Sequence, residues 1–136
     1  MSELLRFAEK DIAILYSMPK PSTSLDKIMI CYAFVNRDRV PSRKELEHCL
    51  NIALAIGAMT MTQGKFVLSE EWHERLHQFD ASTDNEIDSL LEVTELLEVE
   101  TWKRIHPVEY ALSQEEYDAA IRQLKSNGFR MLGRNT

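Results

Sequence analysis

Pro41-Ser42-Arg43-Lys44-Glu45-Leu46 leads through Cys49-Leu50, Ala53-Leu54 and Gly57 into Met59-Thr60-Met61-Thr62-Gln63-Gly64-Lys65-Phe66-Val67-Leu68, followed by Ser69-Glu70-Glu71. The period of the apolar residues changes twice along this stretch. Ser42 with Glu45 has the Ser-x-x-Glu spacing of a capping box, in which each side chain satisfies the other residue's backbone N–H. Leu46, Cys49, Leu50, Ala53, Leu54 and Gly57 then fall on one helical stripe, so that face must be buried. From Met59 the pattern alternates, with Thr60 and Thr62 polar between Met59 and Met61. Gln63-Gly64 supplies a turn tolerant of positive φ, and Lys65-Phe66-Val67-Leu68 reads as the returning strand. Ser69 is placed to cap a following helix, with Glu70 and Glu71 in the first turn, where the dipole favours negative charge. Trp72, Leu76 and Phe79 form its apolar stripe.

Upstream, Ser2 opens a segment with Leu4, Leu5, Ala8, Ile12 and Leu15 at three- and four-residue spacing, which predicts a first helix stopped by Pro19-Lys20-Pro21. Thr23 and Ser24 begin a second, carrying Leu25, Ile28, Tyr32 and Val35. Downstream, Asp80-Ala81-Ser82-Thr83-Asp84 reads as a linker, and Thr83 with Glu86 as the cap of a helix over about 85–100. Ile87, Leu90, Leu91, Val93, Leu96 and Leu97 cover a wide arc of it, which implies contact on more than one side. Trp102 to Leu112, interrupted by Pro107, reads as irregular or a short strand. Ser113 with Glu116 opens a last helix bearing Tyr117, Ala120, Ile121 and Leu124, with Asn127-Gly128 as a left-handed cap. The expected fold is mainly α with a small β-hairpin. It forms a single domain over 1–136, with a helical extension over 84–136 added to the N-terminal half.

Three helices, a hairpin and a further helix follow one another in residues 2–79. In that order, and through Ser42-Arg43-Lys44-Glu45-Leu46, Leu50, Leu54, Gly57 and the Gly64-centred wing ending Leu68-Ser69-Glu70, this half resembles the winged helix-turn-helix superfamily. The resemblance implies a transcriptional regulator with its third helix in the major groove. Arg43 and Lys44 would then meet phosphate or guanine, Asn51 adenine, and Lys65 would sit on the wing. The plainer alternative is a solvated helix face, because Glu45 and Glu47 share that surface with Arg43, Lys44, His48 and Asn51 and repel a phosphate backbone.

Charge argues for a different partner. The 136 residues carry a formal net charge of −6, with 44% hydrophobic and 28% charged residues, the balance of an ordinary globular domain. Between Gln78 and Glu100 lie eight acidic residues and no basic one. Non-specific affinity for nucleic acid comes mainly from Lys and Arg on phosphates, so this distribution favours a basic protein partner. Asp88, Glu92 and Glu95 form a row at helical spacing, with Glu98 and Glu100 close by. Such a row mimics phosphates and suits the basic groove of a nuclease, as in an immunity protein or antitoxin that neutralises a basic toxin. The alternative is a charged surface that simply keeps the domain soluble. No apolar run approaches the roughly 18 residues of a membrane span, and the N-terminus lacks the layout of a signal peptide, so the cytoplasm is the expected location. Cys31 and Cys49, both within apolar patterns, read as buried reduced thiols.

His73-Glu74-Arg75-Leu76-His77 fits the H-E-x-x-H spacing that places two imidazoles on one side of a helix with a Glu to polarise a metal-bound water. As a metal site it would use His73 and His77, with Glu92, Glu95 or Glu98 as the third ligand, in a small zinc hydrolase. Against that reading, Arg75 sits inside the motif, Glu71 precedes it, and Trp72 and Leu76 already occupy the apolar stripe. The motif is therefore read as coincidental, a solvated or partly packed helix surface. No nucleophile–base pair, glycine-rich phosphate loop or C-x-x-C stands out, and the chain is expected to be non-enzymatic and to need no cofactor.

Overall fold

The Ser42 hydroxyl accepts the Glu45 backbone N–H at 3.2 Å, and the Glu45 carboxylate accepts the Ser42 N–H at 2.9 Å, so the capping box forms as its spacing predicts. In the computed structural model, residues 4–19, 23–35, 39–107, 109–126 and 133–134 are described. Their elements follow in the order β1 (Leu4–Leu5), α1 (Glu9–Tyr16), α2 (Leu25–Val35), β2 (Arg39–Val40), α3 (Arg43–Ala55), β3 (Met59–Thr62), β4 (Lys65–Leu68), α4 (Glu70–Leu76), α5 (Glu86–Leu97), β5 (Trp102–Lys103), α6 (Gln114–Ser126) and β6 (Gly133–Arg134). The architecture is mainly α with a small β-hairpin. Leu46, Cys49, Leu50 and Ala53 of α3 are buried and share one core with Ile12 and Leu15 of α1, Phe66 and Leu68 of β4, and Trp72 and Leu76 of α4. Each Leu- or Ile-sized side chain so buried contributes about 1.5–3 kcal/mol.

The hairpin pairs Met59 with Leu68 and Thr62 with Lys65, which leaves Gln63 and Gly64 as its two loop residues. Both have positive φ, 51° and 76°, the requirement of a type I′ turn whose twist matches the strands. Thr23, between α1 and α2, exchanges two backbone hydrogen bonds of 2.8 Å with Phe66, which adds a third extended segment on the outer side of β4.

The C-terminal half docks chiefly through its two helices. α5 lies against α1 and α4, burying Val93 and Leu97, and α6 lies against α2, burying Tyr117, Ala120, Ile121 and Leu124. The Tyr117 hydroxyl donates to Pro41 O at 2.6 Å, which ties α6 to the entry of α3. β2 and β6 pair in parallel.

Three local expectations are corrected. Leu4 and Leu5 do not open a helix: they form β1, antiparallel to Trp102 and Lys103, and α1 begins only at Glu9. Their spacing to Ala8 fits a helix, but pairing with a distant strand overrides so short a local pattern. Thr83 does not cap α5. Asn85 does, accepting the Asp88 N–H at 2.9 Å, while the Thr83 hydroxyl donates back to Phe79 O. Asp80 is not a free linker residue but a hydrogen-bonded junction. The Asn127-Gly128 cap and the Ser2 helix start lie outside the described residues.

Candidate functional site: an acidic helix face with apolar edges

At 100° per residue, α5 turns Ser89, Val93 and Leu97 to the core and Asp88, Glu92 and Glu95 to the opposite side. Along one edge of that acidic row run Ile87 and Leu91, and along the other Leu96; Val99 follows just past the helix. All four are exposed, at 60%, 55%, 41% and 64%. Among the described residues, no cation pairs with Glu92 or Glu95. The wide apolar arc is thus split between a buried stripe and two open edges. The sequence pattern shows the width of the arc, but only packing shows which part of it α1 and α4 cover. The other two predicted partner residues are placed differently. Glu98 is half-buried, and its carbonyl accepts the Arg6 Nε–H at 2.8 Å. Glu100 pairs with Arg75 at 3.3 Å, and the Arg75 guanidinium lies 5.4 Å from the Trp72 ring centroid and 5.2 Å from that of Trp102. Arg75 therefore glues α4 to β5, a cation–π arrangement with its own counter-ion.

The base of α5 is fixed by Asp80. Its Oδ1 accepts the Tyr16 hydroxyl at 2.8 Å and the Ser89 hydroxyl at 2.5 Å, and its Oδ2 faces His77 Nδ1 at 2.8 Å. Burial alone would raise the Asp80 pKa, but the hydrogen bonds from Ser89, Tyr16 and His77, with the His77 charge, hold it below the ordinary carboxylate value. One carboxylate thus joins α1, the end of α4 and the start of α5.

Arg43, Glu47 and Asn51, on the outward side of α3, are engaged within the chain. Asn51 Nδ2 donates to Tyr110 O and Asn51 Oδ1 accepts the Tyr110 N–H, both at 2.6 Å. Arg43 donates to Leu112 O at 2.9 Å and lies 3.4 Å from Glu47, whose carboxylate also accepts the Leu112 N–H at 2.8 Å. Lys44, His48 and Lys65 remain exposed. His48 Nδ1 sits 3.0 Å from the Asp11 carboxylate, which is itself buried and also accepts the Ala8 N–H. Burial raises the Asp11 pKa against these two partners.

In the H-E-x-x-H segment, His73 is buried at 4% exposure, and His77 lies at the C-terminal cap of α4, with its ring on that of Tyr16 at 4.3 Å. Their ring centroids are 6.4 Å apart. Among the described residues, no three His, Cys, Asp or Glu side chains are grouped as a metal-binding cluster, and Glu92 and Glu95 face away on the outer side of α5. Cys49 is fully buried and Cys31 half-buried, both as free thiols, and burial pushes the Cys49 pKa well up. Among the described residues, no helix is long and apolar enough to cross a membrane. No protein-family model, curated protein or solved structure matches the chain.

Proposed function

We propose that the protein is a non-enzymatic binding module that captures a basic protein on the outer face of α5. The observation that carries this reading is the row of Asp88, Glu92 and Glu95 between two exposed apolar edges. Carboxylates steer a cationic partner and fix its register, and the flanking Ile87, Leu91, Leu96 and Val99 add the area that desolvates on contact. A row of carboxylates at this spacing stands in for nucleic-acid phosphates, so a nuclease-like toxin is the partner class it suits, and the protein would act in the cytoplasm as an immunity or antitoxin-type partner.

The test is capture and inhibition of a basic nuclease-like protein encoded beside this chain. The expected result is a complex that weakens steeply with salt and is lost when Glu92→Lys and Glu95→Lys are combined. A complex indifferent to that double reversal removes the acidic face from the interface and ends this reading.

A second reading, a winged-helix DNA-binding regulator, draws support from the order α1, α2, α3, β3, β4 and from the Thr23–Phe66 pairing. It requires Asn51 and Arg43 to leave Tyr110 and Leu112 before they can reach a base edge. Lys44→Glu with Lys65→Glu, both exposed, tests it through the salt dependence of DNA binding.

A further inference from the structure

Arg6, Arg43, Lys44 and Arg104 converge on one cavity of about 590 Å³, with His48 in its wall. These come from three parts of the chain: the end of β1, the first turn of α3 and the segment after β5. Two carboxylates, Glu47 and Glu109, share the lining, so four cations face two anions and a local excess of two positive charges arises in a chain whose net charge is −6. Glu47 is moreover already engaged by Arg43 and by the Leu112 N–H.

The guanidinium groups are held in place without being used up. Arg6 donates Nε–H to Glu98 O at 2.8 Å, Arg43 one terminal nitrogen to Leu112 O at 2.9 Å, and Arg104 one terminal nitrogen to His106 O at 3.3 Å. Each keeps further donors of its planar fork, which matches phosphate oxygens two at a time. Anchoring each group through one nitrogen lowers the cost of ordering it around a ligand. The buried Asp11 holds His48 Nδ1 in the same manner, leaving the other ring nitrogen of a side chain that is 56% exposed.

We propose that this cavity binds a small phosphate-bearing molecule of about nucleotide size. Its volume falls within the roughly 300–1,000 Å³ of small-molecule sites. Leu5 and Ile52 supply an apolar wall for a ring beside the cationic groups. A long polyanion is disfavoured, because it would extend beyond the four local cations of a chain whose net charge is −6. Screening confines the local field to about 8–10 Å at physiological ionic strength, which suits a compact anion.

The experiment is calorimetric titration of the full chain with adenosine 5′-diphosphate, inorganic pyrophosphate, adenosine and a short DNA duplex. Saturable binding of the diphosphate and of pyrophosphate, with none of adenosine, is expected. Tighter binding of the nucleotide than of pyrophosphate assigns the apolar wall to the base, and equal binding assigns the site to the phosphates alone. Lys44→Glu, at an exposed position that folding does not need, weakens either ligand by about tenfold or more, as loss of a charge-assisted bond requires. Arg104→Glu does the same, and Glu92→Lys with Glu95→Lys leaves the affinity unchanged, which separates this site from the α5 face. Absence of binding by both phosphates, affinity unaltered by Lys44→Glu, or DNA that outcompetes the diphosphate overturns the proposal, the last by assigning the surface to nucleic acid.

Discussion

Asn51 of α3 holds Tyr110 through both of the tyrosine's backbone groups, donating to its carbonyl and accepting its N–H at 2.6 Å each. A helix side chain thereby does for residue 110 what a neighbouring strand would do. The segment between β5 and α6 is held on α3 by this amide, by Arg43, which donates to Leu112 O, by Glu47, which accepts the Leu112 N–H, and by Ala55 O, which accepts the N–H groups of Ile105 and His106. Asn51→Ala removes the two hydrogen bonds to Tyr110, of about 0.5–1.5 kcal/mol each, together with a longer one from Nδ2 to Glu47 O at 3.1 Å, and should cost about 2 kcal/mol or more, read from the urea midpoint. Arg43→Ala costs less, and the double variant costs less than the sum, because both residues hold one segment. Strict additivity would show that the two anchors act independently.

The hairpin turn carries a residue its geometry does not favour. Gln63 sits at φ 51° in the first loop position, where Asn, Asp and Gly are preferred. Gln63→Asn should stabilise the protein by about 0.5 kcal/mol, since Asn tolerates the left-handed region better. Gly64→Ala should destabilise by about 1 kcal/mol: its φ is 76° and nothing lies within 4 Å of a new Cβ, so the cost is conformational and not steric. A thermal shift of the same sign in both variants would contradict the type I′ assignment.

Ser42, Ser69, Gly64 and the α3 stripe announced their structure because each signal is local: a cap, a turn or a period is complete within a few residues. Leu4 and Leu5 misled because β1 exists only through Trp102 and Lys103, far along the chain. Asp80 looked like a linker residue for the same reason, since its meaning comes from Tyr16 and Ser89 on two other helices. On α5 the acidic row could be read from spacing alone. Its apolar edges could not, because Leu91 and Leu97 look alike until packing exposes one and buries the other. Of the four cations of the cavity, Arg43 and Lys44 could be picked out at the start of α3, but Arg6 and Arg104 carry no such signal, because they meet only when β1 pairs with β5.

Asp80 and Asp11 should oppose each other in the acid range. The folded pKa of Asp80 lies below the ordinary aspartate value of 3.8, so its contribution is present above that value and is lost as pH falls through the folded pKa. The folded pKa of Asp11 lies above 3.8, so its contribution is greatest below that value and is lost as pH rises through the folded pKa. Urea midpoints between about pH 3 and pH 6 should therefore rise less with pH in Asp80→Asn than in the wild type, and more in Asp11→Asn. Identical slopes in all three proteins would remove both carboxylates from the acid response.

Leu91 and Leu97 stand on one helix with opposite environments, 55% and 1% exposed. If the outer face of α5 is open in the isolated chain, Leu91→Ala and Ile87→Ala each change stability by no more than about 0.5 kcal/mol, as surface substitutions do. Leu97→Ala opens a cavity against α1 and α4 and should cost about 2–5 kcal/mol. The same Leu91→Ala should slow nothing in the approach of a basic partner, because the carboxylates that steer it are untouched, yet it should speed dissociation by removing apolar contact. Association rates and dissociation rates measured separately, with Glu92→Gln as the converse case, check both halves. A Leu91→Ala variant as unstable as Leu97→Ala would mean that the face is already covered within the protein and is not available to a partner.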